Sequence, residues 1–224
     1  DGYGSKGIYF VEEYHDKEKY FKLALLHSLE RKILIEPFIE GEQFTAEFFI
    51  SPKGELSILM VTEKLNNDAF VPYLYLVRGI STYEKFIGRI VSALNIESGF
   101  YNIDFVHSTK GFELMDIAPR LGGNHLALLY QAAFENNSLS DYIDFVLEGT
   151  VFEKRKPTKD VGLYILHHQK GGLVSSIDNQ LTFINVLMKE YWVTVGDKIN
   201  AFTQGNQQQG YVIFELQKKE TMLI

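Results

Sequence analysis

Asp104 and Asp116 stand twelve residues apart, with Thr109-Lys110-Gly111 midway between them. In a three-residue hairpin loop the last position takes a left-handed conformation, which glycine adopts at least cost. The spacing predicts a hairpin from Phe100 to Ala118 that sets the two carboxylates directly opposite each other. Their Cβ atoms would lie about 5 Å apart, where like charges repel. A divalent cation converts that repulsion into a site, and magnesium favours carboxylate oxygens together with substrate phosphates. Strand alternation puts Asn102, Asp104, Leu114, Asp116 and Ala118 on one face. Tyr101, Ile103, Phe105, Met115 and Ile117 fall on the other, an apolar face suited to a core. Pro119-Arg120-Leu121-Gly122-Gly123 then leaves the sheet beside the carboxylates. Arg120 either projects towards a bound phosphate or bridges to one of the aspartates, and the two glycines expose backbone donors to an anionic substrate. The competing interpretation is a pair of unrelated surface charges on a polar sheet face.

Two upstream segments carry related chemistry. Gly2-Tyr3-Gly4-Ser5-Lys6-Gly7 fits G-x-G-x-x-G, but it runs into an apolar stretch that reads as a strand, Ile8 to Val11, instead of the helix that a dinucleotide fingerprint requires. A glycine-rich loop between strands instead folds over nucleotide phosphates, with Lys6 adding charge; the alternative is a surface turn. Glu36-Pro37-Phe38-Ile39-Glu40-Gly41-Glu42-Gln43 joins two apolar segments. Its backbone groups suit the edge of an adenine and Gln43 suits ribose hydroxyls, against a plain solvated acidic loop. The six histidines show no metal-ligand spacing and read as structural or surface residues. The kinase segments H-R-D and D-F-G are absent.

The elements that must position these residues are mixed. Asp16 to Arg31 reads as an amphipathic helix with Tyr20, Phe21, Ala24, Leu25 and Leu29 on one face. Phe44 to Ile50 and Leu56 to Thr62 read as strands around the turn Ser51-Pro52-Lys53-Gly54. Ser81 and Glu84 form a capping box ahead of a helix that carries Phe86, Ile87, Ile90, Val91 and Leu94 on one stripe. After the hairpin come helices at about His125 to Phe134 and Ser140 to Leu147, the latter stopping at Gly149. Phe152 to Pro157 is a charged boundary. Strands are expected beyond it at Val161 to His167, Leu173 to Ile177, Trp192 to Val195 and Tyr211 to Leu216.

The 224 residues can bury a sizeable core, and 46% hydrophobic with 23% charged residues is ordinary for a globular protein. A net charge of −7 argues against a general nucleic-acid or membrane-surface binder. Zero cysteines exclude disulfides and cysteine-ligated metals and fit a cytoplasmic setting. The chain opens without Met at Asp1-Gly2, which reads as a piece of a longer protein.

The ordered set of glycine-rich flap, Glu36-to-Gly41 strap, acidic hairpin and Asp116-Ile117-Ala118-Pro119-Arg120-Leu121-Gly122-Gly123-Asn124 resembles the ATP-grasp superfamily over residues 1 to about 150. Within it the pattern looks most like the carbamoyl-phosphate-synthase-like and amino-acid-ligase-like branch. The resemblance implies an α+β chain: a partial ATP-grasp fold over 1–155, from the flap onward, and a small β-rich C-terminal lobe over 156–224. It implies ATP and Mg2+ (or Mn2+) as cofactors. It also implies a small carboxylate and an amine as substrates, joined through an acylphosphate. By resemblance, Gly2, Gly4, Ser5, Lys6, Gly7, Glu36, Ile39 and Gln43 contact ATP. Asp104 and Asp116 hold metal, Arg120 is catalytic, and Lys64, Gly122, Gly123 and Asn124 face substrate. Two departures stand out. Ala118 occupies the usual third metal position, so Asn102, opposite it in the assumed register, is expected to supply the missing amide. The N-terminal α/β domain and a phosphate-binding lysine before the flap are not in the chain. Little ligase activity is therefore expected from it alone. Completion by the rest of a parent chain or by a partner subunit, and a homodimer, are both compatible with the pattern. The alternatives are a non-catalytic ATP-binding module or one subunit of a split carbamoyl-phosphate-synthase-like enzyme.

Overall fold

A computed structural model describes residues 7–150, 152, 154–177 and 185–216. Its frame is an eight-stranded antiparallel sheet in the order β5-β4-β1-β2-β3-β6-β10-β8. These strands are β1 (Glu42–Ile50), β2 (Leu56–Asn66), β3 (Pro72–Arg78), β4 (Gly99–Ser108), β5 (Gly111–Ala118), β6 (Val161–Leu166), β8 (Asn185–Tyr191) and β10 (Gly210–Glu215). A separate two-stranded ladder pairs β7 (Gly172–Leu173) with β9 (Lys198–Ile199). The helices are α1 (Lys17–Leu25), α2 (Glu84–Leu94), α3 (Leu126–Phe134) and α4 (Ser138–Glu148). Among the described residues no helix is long and apolar enough to cross a membrane.

Both faces of the sheet are covered, which is why β1 is buried from Phe44 to Ile50 without alternation. On one face Phe44, Phe48, Val61, Ile103 and Phe105 pack with Tyr83, Phe86 and Ile87 at the start of α2. On the other, Phe49, Met60, Tyr75 and Phe100 pack under Leu129, Tyr130 and Phe134 of α3, and Phe145 of α4 adds to that layer. The pairing of β3 with β6 carries the sheet without a break from the acidic hairpin into the C-terminal strands.

The hairpin places Asp104 opposite Asp116 and Asn102 opposite Ala118, as the spacing predicts, but by another route. The loop is two residues long, since Ser108 already pairs with Gly111. On that count Asp104 would face Met115. An irregularity between Asp104 and Phe105 leaves Met115 unpaired and restores the register. Leu114 consequently shares a face with Phe105, not with Asp104, and Met115 is 49% exposed instead of buried.

Other expectations are corrected. Ile8 to Val11 is not a strand: no neighbouring strand pairs with it among the described residues. α1 ends at Leu25, not Arg31, and buries none of its residues. Its apolar face is only partly covered, with Tyr20 against Tyr9 at 5.6 Å between ring centres, and turns follow it, with Arg31 at φ 53°. The capping box is not formed. A 3-10 turn over Ile80–Thr82 leads to Tyr83, which flanks α2 without a side-chain cap bond. Burial of the Tyr83 ring against Phe44 and Phe105 sets that approach instead. Trp192 to Val195 is not a strand, because β8 ends at Tyr191, and only Leu173 of the segment Leu173 to Ile177 is one.

Phe105 is fully buried against Phe44, Tyr83, Phe86 and Phe112. Phe105→Ala is expected to cost about 3–5 kcal/mol, read from the urea midpoint. An unchanged midpoint would show that this layer does not hold the hairpin.

Candidate functional site

The polar residues lie in rows across one face of the sheet. One row runs Asp116–Asp104–Thr45–Thr62; the next runs Ala118–Asn102–Glu47–Met60. A third carries Val106, Gln43, Lys64 and Tyr75. The repulsion between the aspartates is offset by Lys64, whose Nζ lies 2.9 Å from Asp104 Oδ2 with its side chain only 8% exposed. The ion pair that the sequence offered to Arg120 is thus made by Lys64 from the third row. Asn102 donates through Nδ2 to Thr45 Oγ1 at 2.9 Å, which leaves its carbonyl oxygen as the group able to meet a cation.

The turn after β5 is held from beneath. Glu47, 1% exposed in the centre of β1, accepts the Gly122 N–H through Oε1 at 2.6 Å. A Cβ at Gly122 would lie 2.6 Å from Leu126 Cδ1 and 3.0 Å from both Asn102 Nδ2 and Glu47 Oε1, so only glycine sits there without displacing them. Arg120 is exposed and donates through one guanidinium nitrogen to the Leu121 carbonyl at 2.8 Å. Burial pushes the Glu47 carboxyl up to about 7, while the Gly122 N–H and the nearby Arg120 charge pull the other way. Its second oxygen is buried without a hydrogen-bond partner, a costly position for a charged carboxylate and a tolerable one for a neutral acid.

Further along the turn, Asn124 Nδ2 donates to the Tyr75 hydroxyl at 2.7 Å. Burial holds that hydroxyl well above its ordinary range, against the Asn124 hydrogen bond; the charge of Asp104 adds to the rise. Tyr75 pairs with Lys64 in register, so the turn and the acidic row are linked through two neighbouring side chains.

The nucleotide-contact expectations divide. Gly2, Gly4, Ser5 and Lys6 lie outside the described residues, and Gly7 packs against His27. Glu36 is exposed, while Ile39 and Gln43 are half-buried. Phe38 beside Ile39 contacts Phe10 at 4.7 Å and Phe70 at 5.5 Å between ring centres, which ties this strap to the segment after the flap. Gly41 lets the chain pass over β4, since a Cβ there would lie 2.3 Å from the His107 carbonyl. Among the described residues no three His, Cys, Asp or Glu side chains form a metal cluster. Two carboxylates with substrate phosphates and water are the donor set that magnesium uses, and Asp104 with Asp116 matches it.

No protein-family model matches the chain, and no curated protein matches it by sequence. Solved structures do. L-amino acid ligase from Bacillus licheniformis superposes with a TM-score of 0.67 at 20% identity, over 83% of this chain and 49% of that one. Biotin carboxylase from Campylobacter jejuni, in complex with a β,γ-ATP ligand, gives 0.68 at 15% identity, over 96% and 52%. The biotin carboxylase domain of 2-oxoglutarate carboxylase from Hydrogenobacter thermophilus, with MgADP and bicarbonate, gives 0.69 at 11%, over 96% and 51%.

The protein has the ATP-grasp fold.

The chain spans about half the length of these ATP-grasp structures. Within the fold, the residue that sequence reasoning missed is Glu47. Its signal was a carboxylate inside the apolar run Phe44 to Ile50, in step with Thr45 and Gln43. Tyr75 was missed because β3 was not recognised.

Glu47 gives a pH prediction. Its folded value of about 7 lies above the ordinary 4.5. Stability from this group is complete below pH 4.5 and is lost as pH rises through 7, on the order of 3 kcal/mol in all. Glu47→Gln keeps an acceptor for Gly122 and removes the titration. Its urea midpoint should gain on the parent's between pH 5 and pH 8. A difference between the two that stays constant with pH would mean that Glu47 does not titrate in this window.

Proposed function

We propose that the protein carries the nucleotide-binding and phosphoryl-transfer portion of an ATP- and magnesium-dependent carboxylate–amine ligase. The observation that supports this reading is the convergence on one sheet face of Asp104, Asp116, Lys64 and the Arg120–Asn124 turn, the turn fixed by Glu47 through Gly122. In such a reaction a carboxylate oxygen attacks the γ-phosphorus of ATP and ADP leaves, giving an acylphosphate. The amine nitrogen then attacks the acyl carbon, phosphate departs with the C–O bond electrons, and the nitrogen loses a proton to solvent.

In this reading Asp104 and Asp116 hold the magnesium, with the Asn102 carbonyl oxygen as a third protein donor. Bound there, the metal would supply charge neutralisation on the phosphates. Arg120 stabilises charge on the transferring phosphoryl group. Gly123 faces the carboxylate substrate, while Gly122, Asn124 and Lys64, engaged with Glu47, Tyr75 and Asp104, position the turn and the acidic row beside it. Gly2, Gly4, Ser5, Lys6, Gly7, Glu36, Ile39 and Gln43 surround the nucleotide. The ligands in the two biotin carboxylase structures, an ATP-type nucleotide in one and MgADP with bicarbonate in the other, are consistent with this division.

Ala118 favours a second reading, an ATP-binding module without turnover, because its methyl group offers no ligand at the position opposite Asn102.

MgATP binding by calorimetry, and phosphate release with pairs of amino acids, bicarbonate–ammonia and phosphoribosylamine–glycine, separate the two. Asp116→Asn is expected to weaken MgATP at least about tenfold. Arg120→Ala should leave that affinity within about twofold and lower phosphate release about 100-fold or more. The 224-residue chain by itself is expected to release little ADP, so turnover is measured on a longer chain containing it. MgATP binding indifferent to Asp116 would remove the ligase reading. MgATP binding with no release from the longer chain would select the non-catalytic one.

A further inference from the structure

Beyond Gly123 the chain does something unusual. Asn124 and His125 both adopt left-handed backbone, at φ 50° and 63°, without being glycine. Such positions are uncommon outside glycine and persist where the surroundings over-determine them. Here the surroundings come from the C-terminal strands. Gln208 Nε2 donates to Asn124 Oδ1 at 3.2 Å, and Gln208 Oε1 lies 3.1 Å from His125 Nε2. The His125 ring stacks on Tyr211 at 4.7 Å and lies 5.2 Å from Trp192. This network borders an open surface cavity of about 310 Å³ lined by Asn124, His125, Trp192, Gly205, Asn206 and Gln208.

Three properties of the cavity bear on its use. No Asp, Glu, Lys or Arg lines it, so it offers nothing to a charged group. Its largest apolar surface is the indole of Trp192, left 44% exposed although Tyr211 and His125 are beside it. Its floor is continuous with the phosphoryl-transfer turn: Asn124 bonds Tyr75, and Tyr75 neighbours the Lys64–Asp104 pair. Asn124, which ends the turn that begins at Arg120, also lines the cavity, so the cavity lies at the far end of that turn.

We propose that this cavity is a substrate subsite that accepts an uncharged apolar or aromatic side group of the amine or carboxylate substrate, with Trp192 as the surface it packs against. The proposal rests on the ligase reading for the identity of the reacting centre, but not for the existence of the subsite. The amides of Asn124, Asn206 and Gln208 rim the cavity and suit a neutral hydrogen-bonding edge on the same group. Substrates whose side groups carry a full charge are disfavoured against the Trp192 indole, because no Asp, Glu, Lys or Arg among the lining residues pairs with that charge.

Trp192 is the sole tryptophan of the chain, so intrinsic fluorescence reads the cavity without any need for turnover. The probes are L-phenylalaninamide, an amine without a carboxylate, and N-acetyl-L-phenylalanine, a carboxylate without an amine. Glycinamide, N-acetylglycine and L-lysinamide are the comparisons. A saturable change in Trp192 emission is expected with at least one phenyl probe. Which of the two saturates assigns the side group to the amine or to the carboxylate substrate. The three comparison compounds are expected to give no saturable change. Asn206 lies on an exposed loop. Asn206→Arg should weaken the cationic L-phenylalaninamide, and Asn206→Asp the anionic N-acetyl-L-phenylalanine, at least about tenfold with the urea midpoint unchanged. Absence of saturation with both phenyl probes, an equal response to the glycine compounds or to lysinamide, or undiminished binding of the saturating probe in its like-charged variant would overturn the subsite. Calorimetry with MgATP on the same protein keeps the two ideas apart. Nucleotide binding without phenyl binding removes the subsite alone, and phenyl binding without nucleotide binding supports the subsite while removing the ligase reading beneath it.

Discussion

A single unpaired residue in β5 governs what the site face can be. A two-residue loop closes the hairpin, and a regular ladder from that loop would bring Met115 opposite Asp104 and turn Asp116 to the far side. Because side chains alternate with period two, a slip of one residue moves a whole set to the other face. The irregularity at Met115 absorbs that slip. It leaves Ile117 packed against the core below α2, returns Asp116 to the face of Asp104, and sends the chain out at Pro119 on the side where Glu47 waits. The bulged residue sits on an edge strand, where its exposure costs little and no further strand has to follow its distortion.

The same face shows how charge is managed in a covered sheet. Three carboxyls stand within two rows, and each is treated differently. Asp104 is met by Lys64, Asp116 is left on the exposed edge, and Glu47 is buried and pushed towards its neutral form while one oxygen holds a backbone N–H. The buried group is the positional one: it anchors the turn bearing Arg120 to the middle of the sheet. The exposed ones are those that a cation or phosphate can reach. Continuity of the sheet through β3 and β6 then brings Gln208, Trp192 and Tyr211 against the far end of that turn, so the C-terminal strands contribute to the same neighbourhood.

Much of this was legible in the residues. The strands around Ser51-Pro52-Lys53-Gly54 and the helix stop at Gly149 follow from local spacing and turn chemistry, which act over a few residues; the facing of Asp104 with Asp116 and of Asn102 with Ala118 matches the expected register only because the irregularity at Met115 offsets a loop shorter by one residue. The segment from Ile8 to Leu29 was legible only in part. Its helix forms over Lys17–Leu25 but stops short of the expected end, and Ile8 to Val11 has no neighbouring strand among the described residues, because a strand needs a partner that local periodicity does not supply.

The sequence by itself determined which chemistry was on offer: two carboxylates at a hairpin spacing, an arginine and two glycines directly after them, and no cysteine or histidine cluster to compete. Only the tertiary structure decided who partners whom. That Lys64 and not Arg120 neutralises Asp104, that Glu47 grips Gly122 across 75 residues of chain, and that Gln208 reaches Asn124 across 84 depends on strand order and on two covered faces. Hydrogen bonds and ion pairs over such separations are set by register and burial between distant strands, for which a single sequence carries no local signal.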